Sequence, residues 1–119
     1  MNKNKSILES FKTRFKNEIE KLDIKMLNEL KEPTYIYTLK DMENRRQKLY
    51  CQVDVIENLL NNEVLLDNPN KTIDVLNNDI HHLKIGVKQH ILNKSMSVNT
   101  FIDMVYRKEF MIQMIKMLS

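Results

Sequence analysis

Apolar residues recur at alternating three- and four-residue steps along most of the chain. Leu8, Phe11, Phe15, Ile19, Leu22, Met26 and Leu30 form one stripe. Leu39, Met42, Arg46, Leu49, Val53, Ile56 and Leu60 form a second, unbroken and with one charged member. Ile73, Leu76, Ile80, Leu83, Val87 and Ile91 form a third, and Phe101, Met104, Val105, Met111, Ile112, Ile115 and Leu118 a fourth. Residues three and four apart stack on one face of an α-helix, so each stripe predicts an amphipathic helix. The period-two alternation of a strand is nowhere sustained.

The breaks between stripes carry stop and start chemistry. Ser6-Ile-Leu-Glu9 and Thr38-Leu-Lys-Asp41 have capping-box spacing, and Thr72 stands where the third stripe begins. Pro33 pushes the residue before it out of the α region and so should end the first helix, ahead of a Thr34-Tyr-Ile-Tyr37 link. Asp67-Asn-Pro-Asn70 is the clearest turn, and Lys94-Ser-Met-Ser-Val-Asn99 interrupts the pattern before Thr100 restarts it. The expected helices are therefore about 6–32, 38–66, 72–93 and 100–118.

Short links between long helices favour antiparallel neighbours. The expected fold is all-α: a single domain over 1–119, built as an antiparallel up-down four-helix bundle. Its first two helices should form a coiled-coil-like hairpin about 40 Å long. Tyr50, Val55 and Leu59 fall beside the second stripe, which widens that helix beyond a two-stranded seam.

Composition narrows the functional classes. Lysine (15), asparagine (14) and isoleucine (12) are abundant while alanine and tryptophan are absent, the bias of AT-rich codons and a low-GC genome. A lone Cys51 excludes an intrachain disulfide and suits a reducing compartment, so an intracellular setting is expected, cytoplasmic or, in a eukaryote, nuclear. The basic first residues are followed by Phe11-Lys-Thr-Arg-Phe-Lys16 instead of an apolar signal core, and no apolar run of about 18 residues could span a bilayer.

Gly86 is the only glycine, which excludes a glycine-rich phosphate loop. Inside a helix it costs about 1 kcal/mol against alanine, so it marks either a close helix crossing or an unconstrained exposed position. The carboxylates sit beside lysines on polar faces, and no pair stands out as acid and base. His81, His82, His90 and Cys51 have no spacing that places two ligands on one helical face. Cys51 lies between seam residues, where a thiol acts as a small hydrophobe. Catalysis, a cofactor, a metal and a small-molecule substrate are accordingly not expected.

Two surfaces remain as candidates. Phe110, Met111, Met114 and Met117 crowd the last helix with flexible apolar side chains, which serve equally as core or as an adaptable interface. With Tyr50, Val55 and Leu59 on the outer flank of the second helix, they form the expected protein interface. The second candidate is cationic. The net charge is only +3, yet residues 80–102 contain no acid. In an up-down bundle Arg45, Arg46 and Lys48 would share an end with Lys84, Lys88 and Lys94, and Arg45, Lys48, Lys84, Lys88 and Lys94 then make a patch for an anionic partner. The plainer reading pairs Arg46 with a carboxylate of the first helix and sets the later lysines against a helix C-terminus. The expected function is a non-catalytic helical module for protein–protein contact or self-association: a subunit, adaptor or small inhibitor in a larger assembly. The alternative is a basic helical nucleic-acid-binding protein of phage, plasmid or viral type.

Overall fold

The computed structural model describes residues 3–31 and 36–119. Four α-helices dominate them: α1 (Lys3–Glu29), α2 (Ile36–Asn61), α3 (Pro69–Leu92) and α4 (Val98–Leu118), with a short 3₁₀ helix at Glu63–Leu66. No strand occurs among the described residues. The chain is all-α, as its stripes predict. It divides into two compact units, Met1–Leu60 and Asn61–Ser119.

In the first unit α1 and α2 run antiparallel: Arg46 pairs with Asp23, while Lys12 lies 3.5 Å from Glu57, so partners rise along one helix as they fall along the other. The 3,4 stripes face each other. Ile19 and Leu22 of α1 bury against Leu49 and Val53 of α2, with Phe15, Met26 and Met42 packed around them. Burying four such aliphatic side chains stabilises by about 1.5–3 kcal/mol each, more than any surface ion pair.

The helix ends depart from the capping signals. α1 begins at Lys3, so Ser6 is already inside it, and Thr38 likewise lies within α2. No proline or glycine stands before Ser6 to halt the helical dihedrals. The end of α1 tightens, with Lys31 N–H donating to the Asn28 carbonyl at 3.1 Å. The stop at Pro33 and the start of the link, Thr34 and Tyr35, lie outside the described residues, while Ile36 and Tyr37 are the first residues of α2.

The second unit opens with the 3₁₀ turn, where Leu65 N–H donates to Asn62 O at 3.0 Å and Asp67 N–H to Val64 O at 3.2 Å. α2 was expected to run on to 66; instead three-residue hydrogen bonds replace the α pattern after Asn61. Asn68, not Thr72, caps α3: its side chain accepts from Lys71 N–H at 3.3 Å, and Pro69 occupies the first helical position, where no N–H is needed. Thr72 instead donates its hydroxyl to Leu65 O at 2.9 Å, tying the 3₁₀ turn to α3.

α3 ends in a Schellman motif. Lys94 N–H donates to Ile91 O at 3.0 Å and Ser95 N–H to His90 O at 2.9 Å, with Lys94 at φ 56°. A lysine therefore holds the left-handed position that glycine usually fills. α4 then packs on α3. The crossing is close at Gly86: a Cβ there would meet two ring carbons of Phe101 at 3.3 Å. That favours the close-crossing reading of this glycine.

Candidate functional site

The hypothesised interface residues divide by burial. Val55 and Leu59 on α2 are buried, and so are Phe110, Met111 and Met114 on α4. Tyr50 and Met117 are exposed, at 39% and 50%. On α4 the buried set Val105, Phe110, Met111, Ile112, Met114 and Ile115 spans an arc of about 220° at 3.6 residues per turn. Methionine's role in this stretch is to fill an irregular interior, a use its flexible thioether suits.

Apolar surface lies elsewhere. At the end of the first hairpin where α1 finishes and α2 begins, Ile24, Leu27, Leu30, Ile36 and Tyr37 are each 61–75% exposed. Leu30 belongs to the first stripe but stands beyond the packed part of the hairpin. Ile24 and Leu27 fall off that stripe altogether, two and one positions from Met26, and an apolar residue on the polar flank of a helix is the signal that could have marked them.

The cations sort in the same way. Arg46 is engaged: its Nε donates to the Asp23 carboxylate, its Nη1 lies 3.2 Å from Glu43, and its guanidinium sits 5.0 Å from the Tyr50 ring centroid. The hydrogen bond to Asp23 raises its pKa further above an already high ordinary value, with Glu43 adding to the effect against the opposing cost of burial. The plainer reading of this seam arginine, a partner for an α1 carboxylate, therefore holds. Arg45 and Lys48 are exposed on α2 in the first unit, and Lys84, Lys88 and Lys94 are exposed in the second. None of these five makes an ion pair among the described residues, whereas Lys108 reaches Asp79 at 3.4 Å.

Side chains able to do chemistry are dispersed. Cys51 is buried, as its seam neighbours predict. The His81 and His82 rings lie 5.7 Å apart, edge to face, on the exposed side of α3, while the His90 ring packs 4.6 Å from Phe101. No group of three or more His, Cys, Asp or Glu among the described residues is placed to hold a metal ion. An open depression along α1 is lined by Ser6, Glu9, Ser10, Thr13, Arg14, Asn17, Glu18 and Lys21, with Arg14 turned to Glu18 at 3.6 Å. Its polar groups belong to a single helix and face solvent, which gives no convergent acid, base or nucleophile.

Among the described residues no helix is long and apolar enough to cross a membrane. No protein-family model matches the chain, and neither a curated protein nor a solved structure matches it.

Proposed function

We propose that the protein is a non-catalytic helical interaction module, a subunit, adaptor or small inhibitor that works by docking another protein. The observation that carries this reading is the cluster Ile24, Leu27, Leu30, Ile36 and Tyr37, five large apolar side chains left mostly in solvent at one end of the α1–α2 hairpin. Isolated exposed apolar residues are ordinary, but a group confined to one end of a hairpin is what a partner would cover. Tyr37 supplies the large amphipathic anchor that interface centres favour. We place the docking surface at this end because Met111 and Met114, at the centre of the surface expected on the last helix, are buried.

The test compares the wild type with the double variant Leu27→Glu/Tyr37→Glu. Both side chains are exposed, so the thermal melt should not change. Wild-type protein should self-associate by light scattering or capture a stoichiometric protein from native lysate, and the double variant should do neither. A wild type that stays monomeric and captures nothing, or a variant that associates as well as wild type, would overturn the proposal.

The alternative, nucleic-acid binding, is supported by five exposed cations, Arg45, Lys48, Lys84, Lys88 and Lys94, that make no ion pair among the described residues. It predicts binding to a duplex or single-stranded probe that weakens steeply between low and physiological salt. Absence of binding at low salt would remove it.

A further inference from the structure

The turn joining α3 to α4 is unlike the rest of the surface. Over residues 80–102 every charged side chain is basic, and the acids on either side of that stretch are Asp79, which pairs with Lys108 at 3.4 Å, and Asp103. Lys84 and Lys88 are exposed on the last turns of α3, and Lys94 is exposed at its end. Among them stand apolar side chains that the unit does not cover: Ile91 is 58% exposed, Leu92 69% and Met96 97%. At about 100° per residue Lys84, Lys88, Ile91 and Leu92 occupy one arc of about 100°. Cations and apolar groups thus share a single face instead of segregating.

Each physical feature restricts what could cover this tip. The uncompensated lysines require an anionic partner. The apolar residues require that the partner also accept hydrocarbon. A side chain 97% exposed stands clear of its own unit on nearly every side, so Met96 projects from a tip instead of lining a groove. A partner helix or peptide seeks a groove; a soft, flat surface accepts a projection. Nucleic acid supplies the charge, but its phosphates gain nothing from leucine or methionine, and no aromatic side chain shares this face to stack on a base. A bilayer interface rich in anionic headgroups meets all of these demands: Leu92 and Met96 enter the headgroup–acyl boundary while lysine stems extend to keep their ammonium groups at headgroup level.

We propose that the tip of the second hairpin, Leu92 and Met96 with Lys84, Lys88 and Lys94 around them, docks reversibly on an anionic lipid surface. This site is built from residues of the second unit alone and the apolar end of the first hairpin from residues of the first, so either proposal can fail without the other.

The test is sedimentation of the full chain with phosphatidylcholine vesicles, with and without phosphatidylserine. Binding should need the anionic lipid. Lys84→Gln/Lys88→Gln should weaken it about 25-fold, at about fivefold per lysine near a charged membrane. Leu92→Glu/Met96→Glu should abolish it, and since both residues are exposed the thermal melt should stay that of wild type. The chain has no tryptophan, so Met96→Trp introduces a sole reporter whose emission should shift to the blue with anionic vesicles and not with neutral ones. Failure to sediment with anionic vesicles would overturn the proposal. So would unchanged binding by Leu92→Glu/Met96→Glu, an unshifted tryptophan, or preference for a nucleic acid or an acidic protein over vesicles of matched charge.

Discussion

Arg46 of α2 sits in the apolar seam of the first hairpin and donates to Asp23 of α1, with the Tyr50 ring 5.0 Å from its guanidinium. Their side chains are 29% and 38% exposed, so solvent screens the pair and its coupling should be only about 0.5–1 kcal/mol. A double-mutant cycle with Asp23→Asn and Arg46→Gln should return that value at low salt and less in 1 M salt. Replacing Arg46 by leucine restores an apolar seam member, and urea denaturation should show a stability equal to or above wild type. A loss of more than about 2 kcal/mol in Arg46→Leu would show that the pair does more than fill the seam.

Gly86 offers a second measurement, with opposed effects. Alanine gains about 1 kcal/mol of helix propensity, but its Cβ arrives 3.3 Å from two edge carbons of Phe101. The half-buried ring would have to give by a few tenths of an ångström, which offsets part of the propensity gain, so Gly86→Ala should fall within about 0.5 kcal/mol of wild type. Gly86→Leu should cost about 1–3 kcal/mol by forcing the crossing apart, and Phe101→Ala in the same chain should return part of it. Chemical denaturation of the four proteins decides the matter. A full 1 kcal/mol gain in Gly86→Ala would mean that the contact does not resist a methyl group.

Lys94 holds φ 56° at the end of α3. Glycine accepts that conformation without the Cβ penalty, so Lys94→Gly should stabilise by about 1 kcal/mol even though it removes a charge. Lys94→Val, branched at Cβ, should destabilise by a similar or larger amount. Thermal melts of the pair should move in opposite directions, and a common direction would contradict the Schellman geometry.

These positions show how much of the molecule was legible in its sequence. The four helices and much of their inward faces were, because the 3,4 stripe follows the packed seam: Ile19, Leu22, Leu49 and Val53 are stripe members and buried together, although stripe members Leu30, Ile91 and Met104 stand exposed. Helix starts were less so, because several side chains at each start can cap and only the backbone path selects one. Asn68 followed by Pro69 won over Thr72, although the asparagine–proline pair was there to be read. The proposed docking surface was the least legible. Periodicity marks apolar residues but does not say which are covered, so Phe110, Met111 and Met114 read as interface or core alike, while Ile24 and Leu27 passed unnoticed as off-stripe residues.

The methionines of α4 carry the sharpest contrast. Met114 is 4% exposed and Met117 50%. Met114→Glu places a carboxylate in an apolar interior, where its charged form is disfavoured and its pKa in the folded state rises above the unfolded value of about 4.3. The deficit relative to Met114→Gln should therefore be full at neutral pH and shrink as pH falls toward about 4, where both folded and unfolded forms are protonated. Near pH 7 the glutamate variant should be unfolded or destabilised by several kcal/mol, and Met117→Glu should stay within about 0.5 kcal/mol of wild type. Circular dichroism melts of the three variants from pH 4 to 8 measure the effect. A Met114→Glu protein that melts like wild type at pH 7 would place that side chain at the surface, and would return the last helix to the proposed docking surfaces.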